Sequence, residues 1–280
     1  TLGAEGRLLL RAQLNQDASP PEVDFPSYWS SKGTRLRPKD PALRCAVKEK
    51  SLQAVQALMD GTWSDIRTRD RGKGGLKKFQ VVQVLRIENK HLWVRYSRLR
   101  TRIAMDCEKH PNFVRQQVRT NQLAETDESL AEMYRKMQLW DGANDFLLFH
   151  GTNPSAAYEI CENGFNVNLA GSSTGTLYGP GIYLAEASSK ADEYAHDDQG
   201  GLYQGLYALL LCRATCGVMN VCDVVKPDVE ALVGSVVRKG THHSVLGDRE
   251  KARGTYREFV LFDSHQVYPE LIVIYRRYTQ

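Results

Sequence analysis

No apolar run in the 280-residue sequence approaches the ~18 residues that a membrane-spanning helix needs, so no span is expected. No basic start followed by an apolar segment and a cleavage site opens the chain, so no secretory leader is visible. The chain begins at Thr1 rather than at a Met and reads as an excised piece of a longer polypeptide. It also lacks a large excess of one charge, with 37 Lys and Arg against 33 Asp and Glu, a net +4 and a pI near 8.7. Dedicated nucleic-acid binders gather a stronger basic excess on one face. The balance permits an anionic ligand without requiring one. Metal-ligand spacing is missing too. The six cysteines include no C-x-x-C pair, and no suitably spaced His accompanies Cys212, Cys216 and Cys222. Nor is Gly179-Pro180-Gly181 a dinucleotide fingerprint, because its glycine spacing is wrong and no βαβ pattern surrounds it.

What is present describes an ordinary globular chain, 42% apolar and 25% charged. It is long enough to bury a full core without a disulfide or metal staple. Cys212 sits inside the apolar run 207–212, as a strand-core residue would. The cysteines therefore read as reduced and buried, in a cytoplasmic or nuclear setting.

Residues 1–32 hold Pro20, Pro21 and Pro26 and little periodicity; they read as a tail or linker, with Phe25, Tyr28 and Trp29 as a candidate anchor. Val47, Leu52, Val55, Leu58 and Met59 are spaced for an amphipathic helix over 46–59. The basic, Gly-rich stretch 67–78 reads as a solvated loop, since no aromatic residues interleave with its charges. A Val- and Ile-rich strand over 79–87 follows. A helix then carries Leu92, Trp93, Tyr96, Leu99 and Ile103 on one face, whose spacing favours core packing over a ligand platform for Trp93 and Tyr96. Another helix is expected over 129–139. Beyond Asp145 the texture changes to short apolar strands between Gly-rich turns. Strands are expected at 146–150, 182–185, 203–213, 258–263 and 271–276, and helices at 155–162 and 188–196. The first of these helices is stopped by Asn163-Gly164. Residues 166–181, with four glycines, read as a loop. Helices first and strands later imply an α+β fold with antiparallel sheets rather than alternating βαβ units.

Three segments carry candidate chemistry. Phe149-His150-Gly151-Thr152 places a His and a Gly at a strand end, where a residue without Cβ lets a ligand reach the backbone. Tyr178-Gly-Pro-Gly-Ile-Tyr183, running on to Tyr194, sets tyrosines around a glycine turn, suited to clasping a flat ring. In Tyr256-Arg-Glu258-Phe-Val-Leu-Phe, a carboxylate heads an apolar strand, where burial without purpose would be costly. Each has a plainer reading: a hydrogen-bonded structural His, core-filling tyrosines, and a Glu258 exposed beside Arg257.

Together and in this order, these segments resemble the catalytic domain of the poly(ADP-ribose) polymerase family, tankyrases and mono-ADP-ribosylating members included. The segments 87–96, 240–245 and 266–270 look like further parts of it, so the resemblance covers residues 33–280, with 1–32 as the tail. It implies an ADP-ribosyltransferase fold of two packed, mainly antiparallel sheets flanked by helices. It implies NAD as co-substrate, a protein acceptor (the chain itself or a partner), release of nicotinamide, and no metal. By resemblance the catalytic residues are His150, Tyr183 and Glu258. His150 and Thr152 would meet the adenosine ribose, and the Gly151 backbone the carboxamide. Tyr183 and Tyr194 would enclose the nicotinamide ring, and Tyr178, Ser189 and Lys190 would complete the NAD site. The loop 166–181 would cover the adenine side, and 223–253 would contribute to the acceptor site.

Departures accompany the resemblance. In much of the family a Ser follows the Ser-Lys pair and contacts the nicotinamide amide; here Ala191 stands there, so weaker nicotinamide binding is expected. The tankyrase zinc knuckle has no counterpart in 196–204, which lacks cysteine. Too few residues precede Phe79 for the long helical subdomain of the DNA-damage-activated members. The pair His242/His243 lacks a third nearby ligand and reads as solvated or capping. Glu258 leaves both mono- and poly-ADP-ribosylation open. A catalytically weak or silent NAD- or ADP-ribose-binding module is the alternative. A nucleic-acid binder using 67–78, or an ADP-ribosylating toxin, fits less well.

Overall fold

The computed structural model describes residues 23–31, 36–70, 78–167 and 176–278. Expectations for the start of the tail, for 71–77 of the basic stretch and for 168–175 of the glycine loop therefore lie outside the described residues. The strands are β1 (Leu43–Ala46), β2 (Lys78–Glu88), β3 (Asp145–Thr152), β4 (Ile182–Ala185), β5 (Tyr207–Thr215), β6 (Met219–Cys222), β7 (Ser244–Asp248), β8 (Arg257–Leu261) and β9 (Val267–Tyr278). The helices are α1 (Glu49–Gly61), α2 (Lys90–Lys109), α3 (Arg119–Thr126), α4 (Glu128–Met137), α5 (Pro154–Asn163), α6 (Ser188–Asp192), α7 (Val229–Val233) and α8 (Arg249–Arg253).

Local chemistry sets the main helix ends. Asn89, Asp127 and Asn153 accept backbone N–H groups at the starts of α2, α4 and α5. Gly164, at φ 85°, ends α5 where Asn163-Gly164 indicated. The elements not anticipated are β1, α3, β6, α7, β7 and α8. All are eight residues or shorter, too brief for a periodic pattern to stand out, and they exist through their partners in the sheet and core.

The strands form one sheet in the order β1-β2-β9-β5-β3-β4-β8-β7-β6, antiparallel throughout except for β6 with β7. Its five-strand and four-strand halves meet at β3 and β4, which share a single residue pair, Phe149 with Ala185. The two expected sheets are these halves, hydrogen-bonded at one seam. They also pack on each other: Phe146 and Leu148 of β3 share a core with Ile182, Leu184, Leu246, Phe259 and Leu261 of the smaller half. The alternate β3 residues Leu147 and Phe149 face a second core with Leu58 and Met59 of α1, Leu130 of α4, and Ala191. Burial on both faces explains why β5 reads as an unbroken apolar run rather than an alternating one. Cys212 lies in that run, and of the six free cysteines only Cys45 is not buried.

Residues 23–31, assigned to the tail from sequence, dock on this framework. Trp29 packs with Trp93, Tyr96 and Tyr268, so Trp93 and Tyr96 are core residues as their spacing implied. The backbone amides of Ser30 and Ser31 donate to Glu88. Tyr28 donates from its hydroxyl to Glu270 (2.8 Å) and accepts from Arg213 (2.6 Å), inside a fully buried Arg213–Glu270 pair.

Candidate active site

The seam makes the site. Beyond Phe149, β3 remains paired with β5 through His150, Gly151 and Thr152, but it makes no further pair with β4 among the described residues. A strand end buried on one side is thereby left with an open edge.

At that edge the half-buried His150 ring is fixed by Nδ1, 3.0 Å from the carbonyl oxygen of Tyr183, and by the edge-on ring of Phe165 at 5.0 Å. A carbonyl only accepts, so Nδ1 carries the hydrogen and Nε2 of the neutral ring presents a lone pair. Burial lowers the His150 pKa, and the Tyr183 carbonyl opposes the shift only in part. Thr152 closes the strand opposite Ala208.

Gly151 has a second reason to be glycine besides ligand approach. A Cβ there would lie 1.8 Å from the Ala191 carbonyl oxygen, so α6 sits directly on the end of β3. Gly151→Ala forces these backbones apart; a loss of about 1–3 kcal/mol of stability is expected, as for other overpacking changes, with loss of activity. Urea unfolding of the variant checks it, and unchanged stability would contradict the packing argument.

The tyrosine turn is closed by its own side chain. The Tyr183 hydroxyl accepts from the Tyr178 N–H and donates to the Gly179 carbonyl, both at 2.9 Å. Gly179 takes φ 101°, and a Cβ there would lie 2.4 Å from Val233 of α7. The Tyr178 ring is buried against Gly247, where a Cβ would lie within 2.1 Å of the ring. Burial, together with the Glu258 charge, pushes its phenol up to about 12.

Glu258, at the start of β8 and opposite Ala185 of β4 and Gly247 of β7, is 7% exposed. The exposed alternative is thereby excluded. Its neighbour Arg257 points elsewhere, into a partly buried bracket with Glu186 (2.6 Å). Glu258 faces Lys190 at 3.4 Å. The Lys190 ammonium also meets Glu193 at 2.8 Å, Asp70 at 3.0 Å and the Tyr194 hydroxyl at 3.0 Å. Burial raises the Glu258 pKa, opposed by Lys190. For Lys190 burial works against the charge, but Glu258 and Glu193 outweigh it and raise its pKa. Ser189 lies 3.0 Å from the Tyr256 hydroxyl and accepts from the Ser64 N–H.

The structure thus gathers Tyr178, Lys190, Tyr194 and Glu258 around one buried charge cluster. His150 and Tyr183 join at the seam, with Gly151 under α6. Sequence reasoning missed Asp70, Thr68 and Glu193, and it named Tyr256 within the Glu258 segment without giving it a role. Glu193 is three residues beyond Lys190 and Tyr256 two before Glu258, so spacing could have marked both. Nothing local marks Asp70, 120 residues from Lys190. A surface cavity of about 510 Å³ lined by Gly61, Arg119, Gln122, Leu123, Glu250 and Arg257 contains none of these site residues.

Elsewhere, His243 takes the capping alternative, as an acceptor of a backbone N–H, rather than the solvated one. Its Nδ1 takes the Val218 N–H at 3.0 Å, and Nε2 faces Asp106 at 3.7 Å. Burial lowers its pKa below the ordinary 6.5, with Asp106 opposing and His110 and His242 adding to the shift. Because His243 and His150 both take up protons less readily folded than unfolded, their stabilisation is complete above about pH 6.5 and falls as pH drops below it. Urea unfolding at pH 7.5 and 6.0 should show that fall, smaller in His243→Asn; an identical fall in the variant would refute the assignment. Among the described residues no group of three His, Cys, Asp or Glu is arranged to hold a metal, and no helix is long and apolar enough to cross a membrane.

The α+β architecture is that of the ADP-ribosyltransferase fold, found in transferases that take NAD as a co-substrate rather than as a redox carrier. Residues 66–277 match the poly(ADP-ribose) polymerase catalytic domain, and the chain belongs to that family. It is similar to mouse protein mono-ADP-ribosyltransferase PARP12 (27% identity over 46% of the chain and 16% of that protein). It is also similar to mouse protein mono-ADP-ribosyltransferase PARP10 (27% over 58% of the chain and 13% of that protein). A third relative is a poly [ADP-ribose] polymerase tankyrase of Caenorhabditis elegans (30% over 29% of the chain and 4% of that protein). The matches thus span less than a fifth of each relative's length.

Proposed function

We propose that this chain transfers ADP-ribose from NAD to a protein acceptor, itself or a partner, and releases nicotinamide. The observation that carries the reading is a buried Glu258 held beside Lys190 and flanked by Tyr178, Tyr183 and Tyr194 at the open seam. Breaking the ribose–nicotinamide bond develops oxocarbenium character on the sugar. Nicotinamide is already a cationic leaving group, so no acid is needed to protonate it. What lowers the barrier is orientation plus negative charge beside the developing cation.

In this reading Glu258 accepts the nicotinamide-ribose 2′-hydroxyl, supplies that charge and polarises an acceptor hydroxyl. Tyr183 and Tyr194 enclose the nicotinamide ring and exclude water, which would otherwise divert the reaction to hydrolysis. The Gly151 backbone meets the carboxamide. The Nε2 lone pair of His150 accepts from the adenosine ribose, with Thr152 beside it, and Ser189 and Lys190 fix the wall behind. The segment 223–253 contributes to the acceptor side. The docking of Val23 to Ser31 supports a catalytic unit that starts ahead of residue 33. Six unpaired thiols suit a cytoplasmic or nuclear setting.

Incubation with NAD labelled in its adenylate should label protein and release nicotinamide in equal amounts; neither product forming would overturn the proposal. Glu258 permits elongation without requiring it, and the relatives named above include both mono- and poly-ADP-ribosylating proteins by name. Sizing the attached product on a gel decides between the two. The silent-module alternative draws on one observation, the missing hydroxyl at the buried Ala191, whose backbone carbonyl faces Gly151. It requires NAD binding without nicotinamide release. Restoring the hydroxyl with Ala191→Ser should tighten nicotinamide binding by roughly threefold to tenfold, the worth of one hydrogen bond. Titration calorimetry with nicotinamide checks this, and unchanged affinity would show that another group already serves the amide.

A further inference from the structure

We propose that Asp70 is a positioning residue for the transfer reaction, holding the Lys190 ammonium and the Tyr194 phenol in the arrangement that the nicotinamide end of NAD meets. The inference rests on the transferase reading above.

The chain from Ser64 to Asp70 is neither helix nor strand, yet it is fastened across the site along its length. The Ser64 N–H donates to Ser189 (3.1 Å). The Tyr256 hydroxyl donates to the carbonyls of Ser64 and Ile66 (3.1 Å each). Thr68 donates to Glu193 at 2.6 Å. Asp70 ends this strap with one carboxylate oxygen that accepts both from Lys190 and from the Tyr194 hydroxyl at 3.0 Å.

The consequence follows from counting donors. A lysine ammonium has three hydrogens. The nearest acceptors are Glu193 at 2.8 Å, Asp70 at 3.0 Å and Tyr194 at 3.0 Å, and Glu258 stands further off at 3.4 Å. Asp70 therefore takes a hydrogen that would otherwise draw Lys190 onto Glu258, and it leaves Glu258 with oxygens to offer the substrate. The same oxygen fixes the Tyr194 hydroxyl, and with it the position of the far end of the ring. The charged groups facing Glu258 are Lys190, Asp70 and Arg249, with the phenols of Tyr178, Tyr183 and Tyr194 around them. Lys190 and Arg249 hold Asp70 below the ordinary carboxylate range despite its partial burial, so it keeps its charge wherever Glu258 is ionised.

The test compares the wild type with Asp70→Asn, Asp70→Ala and Asp70→Glu, following nicotinamide release from NAD against pH and melting temperature in parallel. Asp70→Asn is nearly isosteric and removes a negative charge that faces Glu258. Its KM for NAD should rise roughly threefold to tenfold, as for one weakened charged hydrogen bond, and the acid limb of kcat should move to lower pH. Asp70→Ala should shift the same limb, and Asp70→Glu should restore it. A merely structural role lowers the melting temperature and leaves the acid limb in place, and that result overturns the inference. So does an Asp70→Asn enzyme with unchanged KM and limb. Absence of nicotinamide release from the wild type is a different failure: it removes the transferase reading, and this inference with it.

Discussion

Glu258→Gln should lower kcat for ADP-ribosyl transfer by roughly 10²–10³-fold, the cost of removing one preorganised electrostatic contact, with little change in NAD affinity. The amide keeps the shape and can still accept a hydroxyl hydrogen, but it brings no charge to a cationic sugar. The site magnifies the difference, since Glu258 is 7% exposed and water screens it poorly. Burial also raises its pKa, with Lys190 and Arg249 opposing and Asp70 reinforcing. The working form is the carboxylate, so activity should fall as pH drops through a value above the usual glutamate range. Glu258→Gln should lack that limb. Nicotinamide release across pH, with NAD binding by calorimetry, measures both. A variant that turns over as fast as wild type would remove Glu258 from its assigned role.

The largest stability effect is expected away from the site, at Arg213 and Glu270. The Arg213 side chain is 1% exposed and that of Glu270 fully buried, with Nε to Oε2 at 2.6 Å. The guanidinium lies 4.9 Å from the Trp93 ring centroid, and Tyr28 bridges both partners. Removing one member strands the other charge in a medium that cannot solvate it, at a cost of about 3–5 kcal/mol. Glu270→Leu should therefore unfold at much lower urea. Arg213→Met combined with Glu270→Leu should recover most of the loss, because neither charge is then left alone. Equilibrium unfolding of the single and double variants tests this; a double variant as unstable as the sum of the singles would contradict it. Tyr28 ties residues 23–31 into the same network, so Tyr28→Phe should loosen that segment, seen as faster amide exchange at Ser30 and Ser31.

The sequence by itself determined the main elements and named most of the residues that the candidate site brings together. The helical spacing of Trp93 and Tyr96, the stop at Asn163-Gly164 and the Val-rich stretch around Phe79 are local signals, and the matching elements form where they point. Three short motifs carried His150, Tyr183 and Glu258, because each needs its own neighbours, such as the glycines that let the Tyr183 hydroxyl close its turn. Only the tertiary structure decided what lies between motifs. Short β6, β7 and α8 take their stability from partners rather than from pattern. The halves of the sheet join at one residue pair, which opens the β3 edge. Gly151 is required by the Ala191 carbonyl pressing on it, a contact across 40 residues. Asp70 reaches Lys190 from 120 residues away. Hydrogen bonds and burial act over a few ångströms in space whatever the separation along the chain. Periodicity and motif spacing therefore reveal what neighbours in sequence do together, and folding alone brings the distant carboxylate to the lysine.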